Sequence, residues 1–434
     1  MNIKSTLLNC FLSIVCFFLV FFLFVFYYLN PGLYESALAL IYIAIMSSLY
    51  CIMKSGFCLW RNSLFIGYVI FVFYSSIYYL LVEDLYGTPF FRLDNRDAFS
   101  VVINAFSFIT ILLLFFYKYF FFQTSNVKKY SSISLFSLLF CFIVELLYLY
   151  PFVINFNAIE NVSDRSLIEK ITSPYTFPYI KQMMSAVLFY CVITIPRSKK
   201  KFDSVLSFSL IPITLISLFF LMKLGMRKEL LIIAIAALIF YSYKMSDKMV
   251  IIFAAVFSII LMILGQFRLG ASNDGGAINI INVVGEFFYS HSTLPYIITK
   301  PNLTDGAAFP YIGVLLFFIP KVIIGDNNGA FSEVFQKNID AFDGMGFGFS
   351  PLSESYVFAG YYGFVFFTIL FMAICLLYKN IYNRKPSIGA LLIATLPNFM
   401  RTDFKSYFVE TLVIIMSFLV ISVLARLKIT RVIK

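Results

Sequence analysis

Four residues in this chain are the best placed to do chemistry, and each stands where an apolar run begins or ends. Arg227 lies two residues past a glycine, in Met222-Lys223-Leu224-Gly225-Met226-Arg227-Lys228-Glu229. Arg268 follows a second apolar run, in Gly265-Gln266-Phe267-Arg268, and Arg401 closes a third, four residues before Lys405. A guanidinium is planar, stays charged and can hold two phosphate oxygens at once. Such groups at one membrane interface would suit an anionic lipid head group. The plainer account is snorkelling toward lipid phosphates, or pairing with neighbours such as Glu229 and Asp403. The fourth residue, Glu354, enters an apolar run in Ser353-Glu354-Ser355-Tyr356. A carboxylate there is costly, and partial burial would raise its pKa toward the range useful for proton transfer. Its plainer account is a charge set against a helix dipole. His291, the single histidine, could also act as a base near neutral pH, although a lone histidine is more often a structural hydrogen-bonder. No histidine or carboxylate spacing suits a metal, so neither a metal nor another cofactor is expected.

The elements that must position these residues are membrane helices. The chain has 434 residues, 61% hydrophobic and only 13% charged, and its mean hydropathy is +0.91. A soluble domain carries about 25% charge. Runs such as 7–29 and 99–122 are long enough to cross a ~30 Å hydrocarbon core as helices. Short alternating segments of the barrel type are missing, which argues against a β-barrel. The expectation is an all-α polytopic membrane protein, read as a single integral membrane domain over 1–434. The net charge of +11 sits largely in short connections, so it reads as topology and not as nucleic-acid binding. Seven cysteines lie in or beside apolar runs with no ligand spacing. Residues 1–29 read as a first span, because the apolar run is too long for a cleaved signal.

Hydropathy predicts about twelve spans, near 5–29, 35–53, 63–82, 99–122, 130–151, 175–195, 203–222, 229–246, 249–265, 352–378, 387–401 and 406–425. Lysines and arginines then concentrate in alternate connections, among them Lys128 and Lys129, Lys199 to Lys201, and Arg384 with Lys385. The positive-inside rule makes that side cytoplasmic, with both termini inside. The other side holds the one long interruption, a large loop over 266–352 with short amphipathic or re-entrant segments such as Pro310–Ile324. Glu145 and Glu410 fall inside spans five and twelve and are expected to face the bundle interior. The loop divides the spans unevenly, which weighs against a repeat-built transporter.

The order GMRKELL, QFR, an aromatic EFF segment, YIGVLLFFIPKVIIGD and SPLSESYVFAGYYG resembles the bacterial O-antigen polymerases, the Wzy-type oligosaccharide repeat unit polymerases. The likeness covers roughly residues 220–370; the first half matches in span number and character only. It implies a glycosyltransferase of GT-C-like architecture in the bacterial inner membrane, with its active site on the periplasmic face. Its substrates would be oligosaccharides linked to undecaprenyl diphosphate, and no cofactor would be needed. By the resemblance Arg227 and Arg268 would bind the diphosphate, with Arg401 a secondary contact. Lys321 stands where the family's arginine follows the proline, which weakens a specific phosphate role there. The base would be Glu354 or His291. Membrane lipids, a chain-length regulator and a flippase would be its partners. Two other activities compete: a lipid-linked oligosaccharide flippase, and an O-antigen ligase.

Overall fold

The computed structural model of the protein describes residues 44, 47, 51, 54–69, 105, 107, 109–123, 134–159, 165–194, 201–223, 227–269, 293–307, 311, 314, 331–338 and 349–427. Among them the structure is helical, with one isolated antiparallel bridge, Asn62 to Phe121. The longer helices are α1 (Leu135–Ile154), α2 (Ile180–Thr194), α3 (Lys201–Lys223), α4 (Arg227–Tyr241) and α5 (Asp247–Leu269). They are followed by α6 (Thr293–Thr299), α7 (Phe331–Asn338), α8 (Pro351–Ala359), α9 (Tyr362–Arg384), α10 (Pro386–Phe399) and α11 (Phe404–Leu424). Three of these, α1, α9 and α11, are long and apolar enough to cross a membrane.

Helix α1 shows why the sequence reads as a membrane helix. Ser134 caps it: its hydroxyl accepts the Ser137 N–H at 3.2 Å, and its own N–H reaches the Ser137 hydroxyl at 3.2 Å. Asn155 closes the other end by donating to the Pro151 carbonyl at 2.8 Å, beside a proline that cannot continue the ladder. The outward face is apolar, with Leu139, Phe142, Ile143, Leu146 and Val153 exposed. The buried face carries Ser137, Cys141, Glu145 and Tyr148. Apolar side chains outside and polar ones inside are what a lipid solvent selects.

The chain divides into two compact units. The first comprises Met1–Phe122, Gly285–Lys379 and Leu396–Ser406. Within it, segments of the expected loop make a small core of their own, in which Ile297 of α6, Phe331 and Phe335 of α7, and Phe349 pack together. The second comprises Gln123–Val284, Asn380–Thr395 and Tyr407–Lys434. Here α1 packs on α2 and α3, and α4 packs on α2, α3 and α5. Phe152 stacks on Phe220 with ring centroids 4.6 Å apart, and Phe189 meets Phe240 and Phe418.

The expected span 352–378 is two helices. Gly360 breaks it, with φ 57° and ψ −135°, a conformation open essentially to glycine alone. The α9 helix then starts so close to α8 that a Cβ on Gly363 would lie 1.8 Å from the Ser355 carbonyl oxygen. The two glycines of GYYG thus have separate duties: one makes the bend, the other lets the helices touch.

Candidate functional site

Glu354 is the best-defined of the expected site residues. It lies in the first turn of α8, whose start is fixed by Ser350; that hydroxyl accepts the Leu352 N–H at 3.1 Å. Ser353, the residue before it, shares a hydrogen bond of 2.8 Å with Thr293 and ties α8 to α6. The Glu354 side chain is 2% exposed. One carboxyl oxygen accepts the Tyr311 N–H at 3.0 Å, and the other accepts the Phe404 N–H at 2.7 Å. Phe404 opens α11, so Glu354 faces the N-terminal N–H groups of a helix fifty residues away in sequence. The plainer account from sequence set the charge at the start of its own helix, where it does lie; the structure adds the start of a second helix, α11.

Burial pushes the Glu354 carboxyl up to about 7, against the pull of the Phe404 and Tyr311 N–H groups, and the charge of Asp403 adds to the rise. Asp403 is fully buried. It caps α11, accepting the Ser406 N–H at 2.9 Å, and takes the hydroxyls of Ser406 and Ser332, each at 2.9 Å. Two carboxyls therefore share one helix start. Asp403 has three donors, two of them on one oxygen. Each Glu354 oxygen has one donor and keeps a second lone pair for a proton.

Tyr311 completes the arrangement. Its backbone sits at φ 61°, a conformation that costs a bulky residue. The conformation is held by the N–H bond to Glu354, by a hydroxyl contact with Ser355, and by edge-on packing against Phe358, Phe366 and Phe404. Neither Tyr311 nor Ser332 stood out in the sequence. Asp403 was legible as a cap, an aspartate three residues before a serine at the head of an apolar run.

The arginines are placed less fully. Arg401 is half-buried in the turn between α10 and α11, where its N–H donates to the Asn398 carbonyl at 3.0 Å. Arg227 is the first residue of α4. Arg268 lies within the last turn of α5, not beyond it, because that helix runs four residues further than hydropathy placed it. The side chains of Arg227 and Arg268, and all of His291 and Lys321, lie outside the described residues. Glu354 and Arg401 belong to the first unit, Arg227 and Arg268 to the second.

In the second unit Lys228, the neighbour of Arg227, forms an ion pair with Glu410, which also accepts from the Gln182 side chain at 3.4 Å. Glu229, the next residue, is buried. Among the described residues, no group of three or more histidine, cysteine, aspartate or glutamate side chains could hold a metal ion. The described cysteines are free thiols. No protein-family model matches the chain, and no curated protein or solved structure does either.

Proposed function

We propose that the protein polymerises lipid-linked oligosaccharide repeat units at the outer face of a bacterial inner membrane. The donor would be a glycan on undecaprenyl diphosphate, and the acceptor a sugar hydroxyl of a second lipid-linked unit. What carries the reading is Glu354: a buried carboxyl with its pKa near 7, held by two backbone N–H groups, inside the SPLSESYVFAGYYG segment on which the family resemblance rests. A base with its pKa near the working pH is effective in proton transfer. Glu354 would take the acceptor hydroxyl's proton. The hydroxyl oxygen would form the new glycosidic bond as the bond from the donor sugar to diphosphate breaks. The leaving diphosphate would carry the negative charge, and Arg227, Arg268 and Arg401 would stabilise it. His291 is the alternative base, and Lys321 a further phosphate contact.

The test is the surface polysaccharide of a deletion strain, separated by chain length on a gel. A polymerase defect leaves lipid A core bearing a single repeat unit. A flippase or ligase defect leaves core with none. A normal ladder in the deletion strain would sink the proposal. Complementation with Glu354→Gln is expected to leave the single-repeat band, whereas a ladder restored by Glu354→Gln would move the base to His291. A second reading, transport of the lipid-linked glycan, draws on the carboxylates Glu145 and Glu229 buried among the helices of the second unit.

A further inference from the structure

The second unit holds buried polar groups that glycan transfer does not use. On α1, Cys141, Glu145 and Tyr148 follow at spacings of four and three, so they share the buried face. Thr214 and Ser217 on α3 are also buried, and α3 packs on that helix. The Thr214 hydroxyl donates to one Glu145 oxygen at 2.8 Å. The other Glu145 oxygen, the Tyr148 hydroxyl and the Ser217 hydroxyl have no hydrogen-bond partner among the described residues. Glu145 is 0% exposed and Tyr148 2%. Leaving such atoms unpartnered is costly in an interior with no water. Three on two packed helices point to a hydrated, protonatable site.

The site has an approach. Glu229, in the first turn of α4, lies within electrostatic range of Tyr148 on one side and of Lys228, Lys181 and Glu410 on the other. The side chains of the Lys228–Glu410 pair are 27% and 17% exposed. Exposure therefore falls from that pair, through Glu229, to Tyr148 and Glu145. Beyond Glu145 the titratable neighbours are thiols and a phenol: the Cys141 thiol is hydrogen-bonded to the Cys191 thiol of α2, and Tyr190 of α2 donates to Ser137 at 3.1 Å. The hydroxyl of Thr214 donates to Glu145, and among the described residues no cation is paired with it. A purely structural carboxylate would be expected to have one.

We propose that Glu145 is a proton-binding site inside the second unit, loaded through Glu229 from the Lys228–Glu410 end. Tyr148 and water molecules beside it form the hydrogen-bonded link. One proton moves per step. On loading it leaves Glu229 for the linking hydroxyl or water, which in the same step gives its own proton to the unpartnered Glu145 oxygen; unloading is the reverse. The ligand is the proton itself, and the site makes the protein responsive to proton supply at the end where α4 begins.

Infrared difference spectroscopy on the full chain in lipid nanodiscs tests this without any glycan substrate, so its failure leaves the transfer reading untouched. In a Glu354→Gln background, which removes the other carboxyl that titrates near 7, the chain is expected to show the carbonyl stretch of a protonated carboxyl that disappears as the buffer pH is raised. Glu145→Gln, which is isosteric and still accepts from Thr214, is expected to lose that band; Glu145→Asp is expected to shift it. Glu229→Gln and Tyr148→Phe are expected to keep the band and to slow its deuterium exchange. A band undiminished by Glu145→Gln overturns the site. Wild-type exchange rates in both Glu229→Gln and Tyr148→Phe overturn the route. If Glu145→Gln does not fold, an unshifted band in Glu145→Asp overturns the site in its place.

Discussion

At the scale of single residues, Glu354 is set by opposed influences of known sign. Burial and Asp403 raise its pKa, two backbone N–H groups lower it, and the balance lies at about 7 against an ordinary 4.5. As a base it works ionised, so the rate of polymer formation should climb as pH rises through about 7, with Glu354→Gln inactive throughout. The same group makes stability pH-dependent. The folded state holds its proton more tightly than the unfolded chain, so its contribution is complete below about pH 4.5 and is lost as pH rises through about 7. The interval is worth roughly 3 kcal/mol. Melting in detergent should therefore fall in temperature across that window for the wild type, and fall less for Glu354→Gln. Asp403→Asn gives a finer test. Asparagine also caps helices, so α11 keeps its start while the charge is removed. The rising limb of the rate profile should move to lower pH with little change in melting temperature. An unmoved limb would mean that some other group, His291 first among them, is being titrated.

At the scale of elements, the bend between α8 and α9 is the feature on which the site's geometry depends. Alanine at Gly363 would put a methyl group against the Ser355 carbonyl at an impossible distance, and backbone cannot yield as a side-chain tip can. The two helices would have to part, displacing Glu354 from Tyr311 and Phe404. Gly363→Ala should cost about 1–3 kcal/mol and abolish activity. Gly360→Ala meets no neighbour and suffers the backbone conformation alone, also about 1–3 kcal/mol. Thermal melts and polymer length of both variants check this; a fully active Gly363→Ala would show that the close approach is dispensable. The same bend marks the limit of what the sequence could reveal. Hydropathy placed α1, α3 and α11 within a few residues, because burying polar groups inward and apolar groups outward imposes a composition that any window detects. It merged α8 and α9, because a positive φ at one glycine leaves no trace in an average. Asp403 was readable as a cap, since capping is local. The bonds from Tyr311 and Phe404 to Glu354 were not readable, because they join segments forty-three and fifty residues apart that only tertiary packing brings together.

At the scale of the whole molecule, the distribution of positive charge makes a claim that three helices long and apolar enough to cross a membrane do not make alone. With twelve spans, the connections rich in lysine and arginine share one face: those at 128–129, at 197–201, at 244–248 and at 384–385, together with the tail from Arg426. The energetic basis is the bias against moving cationic loops across a membrane during insertion, which acts on short loops near span ends. The proposed chemistry depends on that topology. A diphosphate-linked glycan has to meet Glu354, and the segments around α6 and α7 must then lie outside the cytoplasm. Fusions report the two faces directly. Alkaline phosphatase, active when exported, should be active when joined after Pro301 or within α7, and inactive after Lys385 or Arg426. A fluorescent protein that folds in the cytoplasm should show the reverse pattern. An odd number of spans before Pro301 is required for this outcome, so an inactive phosphatase there would remove one span from the count. It would also move Glu354 to the face where no lipid-linked acceptor is presented.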